Sequence, residues 1–592
     1  MHLPPVKKES RYKRSIITFG GLNLTQSYHA GEMSDCSGIS HRQFPSLTQR
    51  NKGERIFECL SPTAAIFENK ECIAANDGLY YDGKKVGELS AGVKQLAALG
   101  SKIVVFPDKM YYDTQTEEFK SLSGKCQTLG AKVTFTGNSV SVPSSLYKQK
   151  TELDKVQFPK DYLVVTYTDI SIKNGEITFT GFALKKVSEI EEGTIFWEKC
   201  KENQYRIAGS ISYSEELQAY EVSNEIITVE NIISDIFSSF KVGDVVEISG
   251  CTVNPENNLS STIVDKTKTK LIFADETFKE GSETENVTLQ RKIPDFTCIC
   301  SYENRLWGCE GNTIYASALG DATRFFSYNG LSTDSYSVAS NSAGQFTACA
   351  AYGNSCFFFK ETSCYKLYGN RPANFQLTET FGKGVLKGDC MSIVNAGGKL
   401  IYKGNGGIYV SYGGKPECIS DKLGIITFQN AVAGSNGRLY YFSADTKEGR
   451  EEFVWDIEKN LWSKTGETGV LGYASYGDIM YRFKSDGVEK ITDETDSDTP
   501  WSITFCPFDE GYYSTKNYSR LHIRAQLFEG AYIRTEVKSD DCEWKTLDTS
   551  YGDCRKYLNI PCVVKGCNRV EIRLSGKGKS IIESITREFS VN

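Results

Sequence analysis

From about residue 55 onward the chain is a succession of short apolar runs, each closed by Gly, Asn or Asp. Runs of about four to six residues are too short for stable helices and fit strands joined by tight turns. Segment 76–89, NDGLYYDGKKVGEL, reads as strand, turn, strand, and 103–122 holds two or three short strands. Segments 397–420 and 436–465 look much the same. Composition agrees: aromatic residues reach 12%, with 33 Tyr and 32 Phe, and there are 52 Gly. Aromatic side chains suit a pleated surface and glycine supplies the turns. At 592 residues the chain exceeds one core, and about three to five domains are expected.

Two pairs of segments align. Tyr112-Asp113 is followed by Phe119, and Trp455-Asp456 by Trp462, at the same spacing. In each, the Asp can cap a turn through backbone N–H groups while the two aromatics share one face of a hairpin. Gly78-Leu79-Tyr80 likewise resembles Gly407-Ile408-Tyr409. Repeated four-stranded units of this kind indicate a β-propeller; the alternative is a set of unrelated hairpins in sandwich domains. The pattern breaks at about 155–293. There Val229, Ile232, Ile233, Ile236, Phe237 and Phe240 fall on one helical face, so the spacing predicts a helix over 229–240. Short strands follow it. The acidic stretch 493–500, closed by Pro500, reads as a linker, and 501–592 alternates apolar and polar residues as sandwich strands do. The expected fold is all-β. Its parts are an N-terminal arm (1–54), propeller blades (55–154 and 294–492), an inserted small β-barrel or sandwich module with one helix (155–293), the linker and a C-terminal β-sandwich. The arm has few strand signals yet carries Phe19, Leu22, Leu24, Tyr28, Phe44 and Leu47. It is expected to pack on the propeller or on a neighbouring subunit.

Chemistry is sparse. The four histidines, His2, His29, His41 and His522, have no carboxylate or Cys neighbour at ligand spacing. Cys298-x-Cys300 and the group Cys554, Cys562, Cys567 come nearest to metal-like spacing but lack a CxxC knuckle, and structural thiols are expected. GKGKS at 576–580 has Arg573 where a phosphate-binding loop needs Gly, so it reads as a turn between strands. Asp496 and Asp498 alternate like calcium ligands, with no Gly or closing Glu at the required spacing. No sialidase-type Asp-box is present. The sequence therefore nominates no catalytic, cofactor-binding or metal-binding residue, and the chain is not expected to be an enzyme. A net charge of -7 without a Lys/Arg stripe argues against tight nucleic-acid binding. No apolar run is long enough for a membrane span. Nineteen scattered Cys and no secretory signal in residues 1–21 predict free thiols and synthesis in a reducing cytoplasm.

Three segments resemble a family of phage virion proteins. The arm carries Gly21-Leu22-Asn23, then Gly31-Glu32-x-x-Asp35, then Pro45 and Arg50. It is similar to the opening of tail tubular protein B, the tail nozzle of short-tailed phages, and of related proteins in phages of Firmicutes. Asn304-Arg305-Leu306-Trp307, followed by Ile314-Tyr315-Ala316-Ser317 and Gly320-Asp321, is the most specific match. The terminal SITREFSVN, 584–592, is the third. The resemblance implies a propeller platform and a homo-oligomeric ring, possibly a hexamer, forming part of the DNA-exit channel of a virion tail. Its implied partners are tail adaptor or connector and fibre proteins, with genomic DNA passing without tight binding. The implied place is the virion, assembled in the host cytoplasm. The other expectation kept open is a carbohydrate- or receptor-binding adhesion protein with propeller and sandwich domains. At the level of single residues, Trp307 is expected in a blade core with Arg305 capping a strand end.

Overall fold

The computed structural model describes residues 11–50, 52–67, 70–128, 131–142, 145–173, 176–197, 204–233, 236–274, 277–491, 499–552 and 554–592. Among them the regular elements are β-strands and a few single 3-10 turns, so the protein is all-β. It divides into two compact units. One comprises residues 1–119, 295–322 and 330–592, and the other 120–294 with 323–329.

The first unit contains a propeller. Seven four-stranded antiparallel sheets follow one another over 64–87, 95–121, 298–339, 348–381, 394–418, 429–464 and 472–491. The seventh has only three strands of its own and takes its fourth, Glu54–Phe57, from the beginning of the chain. Its first strand packs on that of the first blade, and this closes the ring. The paired sequence segments occupy equivalent places. Asp113 and Asp456 each end a strand and accept the next turn's N–H, from Gln115 at 3.0 Å and Lys459 at 3.0 Å. Trp455 and Trp462 lie opposite each other in register and stack at 6.1 Å. Gly78 and Gly407 both open the third strand of a blade.

Aromatic richness finds its use at the seams between blades. Tyr81 meets Tyr112 at 5.0 Å, Trp307 meets Phe358 at 5.9 Å, Phe359 meets Tyr402 at 5.1 Å, and Phe67 stacks on Tyr481 at 3.8 Å. Such pairs add about 0.5–1.5 kcal/mol each beyond their burial. The second and third blades are neighbours although some 175 residues separate them in sequence, between Phe119 and Asp295. Gln95 donates to the Thr297 carbonyl at 3.0 Å and accepts from the Ile299 N–H at 2.9 Å. Lys109 pairs with Asp295 at 2.7 Å.

Beside the propeller, the same unit holds a sandwich built from both ends of the chain. One sheet runs Ile39–Ser40, Leu47–Gln49, Ser580–Val591, Lys516–Leu527, Arg555–Cys567, with Arg11–Ile16 also on Ser580–Val591. The other runs Met33–Ser37, Pro500–Phe505, Val570–Lys577, Ala531–Ser539, Lys545–Gly552. The alternation seen in the sequence becomes burial: Leu521, Ile523, Ala525 and Leu527 point inward, as do Val570, Ile572 and Leu574. The described part of the arm packs on the propeller, as expected, with the Leu22 N–H donating to the Trp462 carbonyl, but most of it is built into the terminal sandwich. The arm's strands lack a core of their own because their partners lie more than 450 residues away: Met33 pairs with Phe505 and Leu47 with Ile582. The stretch 492–498, most of the expected linker, lies outside the described residues; Pro500 already opens a strand.

The second unit begins earlier than residue 155, a correction of the expectation. Strands within 126–141 join those of 245–291 in one eight-stranded sheet, around Val133, Phe135, Val140, Val246, Ile263, Leu271 and Phe273. Residues 145–233 form a six-stranded sheet and a two-stranded hairpin. The expected helix over 229–240 is absent. Ala219–Ile233 is a strand paired along its whole length with Ser145–Pro159. Its β-branched Ile and Val residues favour extended backbone, and fifteen register pairs outweigh a local helical spacing. Phe237 and Phe240 are buried but lie in a turn, the Phe240 N–H donating to the Phe237 carbonyl.

Candidate functional site: a polar pocket in the terminal sandwich

The residues that carry the family resemblance are joints. Gly21 lies where a Cβ would come within 2.9 Å of the Trp462 backbone, and the Leu22 N–H donates to the Trp462 carbonyl at 2.7 Å. Asn23 donates to Glu32 at 2.8 Å, and Glu32 also accepts from the His29 N–H and from Lys422 Nζ, both at 2.7 Å. Arg50 is buried and donates to the Ile39 carbonyl at 3.2 Å. In the third blade, Glu303 and Asn304 form a two-residue turn with φ of +50° and +51°, the geometry that suits twisted hairpins. Arg305 is fully buried and donates to the carbonyls of Ser317, Ser332 and Asp334. It thus ties down the long loop behind the Gly320-Asp321 turn. Trp307 fills the blade core and donates to the Tyr302 carbonyl at 3.0 Å.

The groups singled out as metal-like separate. Cys562 and Cys567 are buried in the sandwich while Cys554 is exposed; burial pushes the Cys562 thiol up to about 12. Cys298 lies opposite Cys309 in register, and Cys300 Sγ stands 3.4 Å from Cys356 Sγ on the next blade. The sequence could not show that meeting, because it joins two blades. Among the described residues all cysteines are free thiols and no group of three or more His, Cys, Asp or Glu is arranged to hold a metal. His41 is buried with Nε2 donating to the Gly20 carbonyl at 2.9 Å. His522 is 3.4 Å from Glu588. His2, Asp496 and Asp498 lie outside the described residues.

A pocket of about 570 Å³ opens in the sandwich where strand Arg11–Ile16, the loop at 26–30 and the loop at 507–510 converge on strand Ser580–Val591. Register puts Arg14 opposite Arg587. Arg587 grips Glu510 with two nitrogens, at 2.6 and 3.1 Å, and lies 3.8 Å over the Phe508 ring. Tyr518 donates to Glu510 at 3.2 Å, and burial drives the Tyr518 hydroxyl well above its ordinary range. Glu510 itself has φ +58°, a conformation that non-glycine residues adopt at a cost of about 1 kcal/mol or more and that recurs at binding sites. Both Glu510 and Arg587 are buried, at 3% and 2% exposure. The Arg587 Nη1 atom nevertheless has no hydrogen-bond partner, which leaves a donor unsatisfied at a cost of about 1–3 kcal/mol. At the rim stand the half-exposed Arg14, together with Ser27, Tyr28 and Asp509. Burial, then the nearby Cys506 and Asp509, raises the Tyr28 hydroxyl. Glu510, locked by a guanidinium and a phenol, holds Arg587 in place.

No protein-family model matches the chain, and no curated protein does. Solved structures do superpose. An exo-β-1,3-galactanase from Phanerochaete chrysosporium is 9% identical, covers 48% of this chain and 92% of its own, and has a TM-score of 0.18. PorZ, a bacterial surface component of the type-IX secretion system of Porphyromonas gingivalis, is 9% identical, covers 90% and 89%, and has a TM-score of 0.23. At such TM-scores neither superposition bears on the activity of this chain.

Proposed function

We propose that this chain is a non-enzymatic structural component of a bacteriophage tail, a nozzle- or tube-like ring protein. The observation that carries the reading is where the three family-like segments lie. The first and third lie in one sandwich, where Leu47–Gln49 of the first pairs with Ser580–Val591, the strand that contains the third. The first also docks on the sixth blade through Leu22 and Trp462, and the second holds the third blade's loop through Arg305. These residues hold the molecule together, which is what a load-carrying virion part requires. The net charge of -7 and the lack of a basic stripe suit a channel wall that DNA passes without being gripped. Its partners in this reading are further copies of itself, a tail adaptor or connector, and fibres.

The test is quantitative mass spectrometry of gradient-purified particles from cells producing the phage that encodes the chain. The protein should co-purify at a fixed multiple of the portal protein. If it stays with the soluble host fraction, the reading fails.

A further inference from the structure

We propose that the sandwich pocket binds an acidic saccharide through its carboxylate. Arg587 lines the pocket, and its buried guanidinium keeps one unpartnered donor, Nη1. The rim adds a second guanidinium, Arg14, whose nearest carboxylate, Glu510, is 3.9 Å away and already held by Arg587. The Arg14 fork and the one unpartnered nitrogen of Arg587, both on residues that line the cavity, match the two oxygens of a carboxylate. The remaining charges decide the kind of oxyanion. Asp509 and Glu510 balance Arg14 and Arg587, so a doubly charged phosphate would meet two carboxylates, whereas a singly charged carboxylate is tolerated. The hydroxyls of Ser27 and Tyr28 and the exposed Asp509 carboxylate offer donors and an acceptor for ring hydroxyls. A volume of about 570 Å³ suits one or two sugar units. Glu510 stays bound to Arg587, so the saccharide is held and not cleaved. The inference does not depend on the tail reading, and either can fail alone.

Isothermal titration of the full-length protein with sialyllactose and tri-galacturonate, against lactose and galactotriose, tests it. At least one acidic ligand should bind and its neutral counterpart should not. Arg14→Ala should weaken binding at least tenfold with an unchanged melting temperature, and Asp509→Asn, which removes a repelling charge, should bind equally or more tightly. Failure of both acids to bind at millimolar concentration overturns the proposal. So does equal binding of acid and neutral sugar, or an Arg14→Ala protein that binds as before.

Discussion

Glu452 accepts two hydrogen bonds from Arg482, at 2.9 and 2.8 Å, and one each from Tyr473 and Thr465 at 2.6 Å, all at the seam between the sixth and seventh blades. Both charges are about 1% exposed. Removing one partner leaves the other buried, so Glu452→Ala should cost about 3–5 kcal/mol. Replacing both by methionine should cost much less, and denaturant midpoints will separate the two. His41 gives a pH-dependent case. Burial pushes its pKa down to about 4 from 6.5, so below pH 6.5 the unfolded chain takes a proton that the folded one refuses. Its share of stability, about 3 kcal/mol, is present above pH 6.5 and is lost as the pH falls to about 4. The wild type should therefore lose more stability than His41→Gln over that window; parallel curves would contradict the assignment. Legibility at this scale was uneven. The turn-capping Asp113 and Asp456 and the core Trp307 could be read from local spacing. The pocket could not, because Arg14, Tyr28, Asp509 and Arg587 meet only after the two ends pair.

Elements were legible where their partners were near. The blades are local meanders, so runs such as Leu439–Thr446 and Gly449–Asp456 declare themselves in sequence. The strands Met33–Ser37 and Leu47–Gln49 do not, since the strands that complete them come some 470 to 530 residues later. The helix misreading has the opposite cause: a chance 3.6-residue spacing in a segment whose long-range pairing decides its form. Two deletions follow. Removing residues 1–50 should unfold the sandwich, exposing the faces of Phe505 and Ile585, and should give insoluble protein; a soluble monomer with a native-like melting transition would contradict the pairing. Replacing 122–293 by a short Gly/Ser linker should leave the propeller folded, because Gln95 and Lys109 still bind Thr297 and Asp295. Excising only 155–293 should fare worse, since it strands Val133, Phe135 and Val140 without the partners they pack on. Circular dichroism and gel filtration distinguish these outcomes.

On the scale of the molecule, the chain closes on itself twice: strand Glu54–Phe57 completes the seventh blade, and the residues before it complete the sandwich formed by 500–591. Both ends of the described chain thus lie in one compact unit. In the proposed function this unit is a repeated part of a phage tail. Cryo-electron microscopy of purified particles tests it most directly. The expected result is a closed ring of identical copies around the tail channel, with seven-bladed propellers and two-sheet sandwiches resolved in each. A tail reconstructed without density for this chain, or with single isolated copies away from the channel, would contradict it.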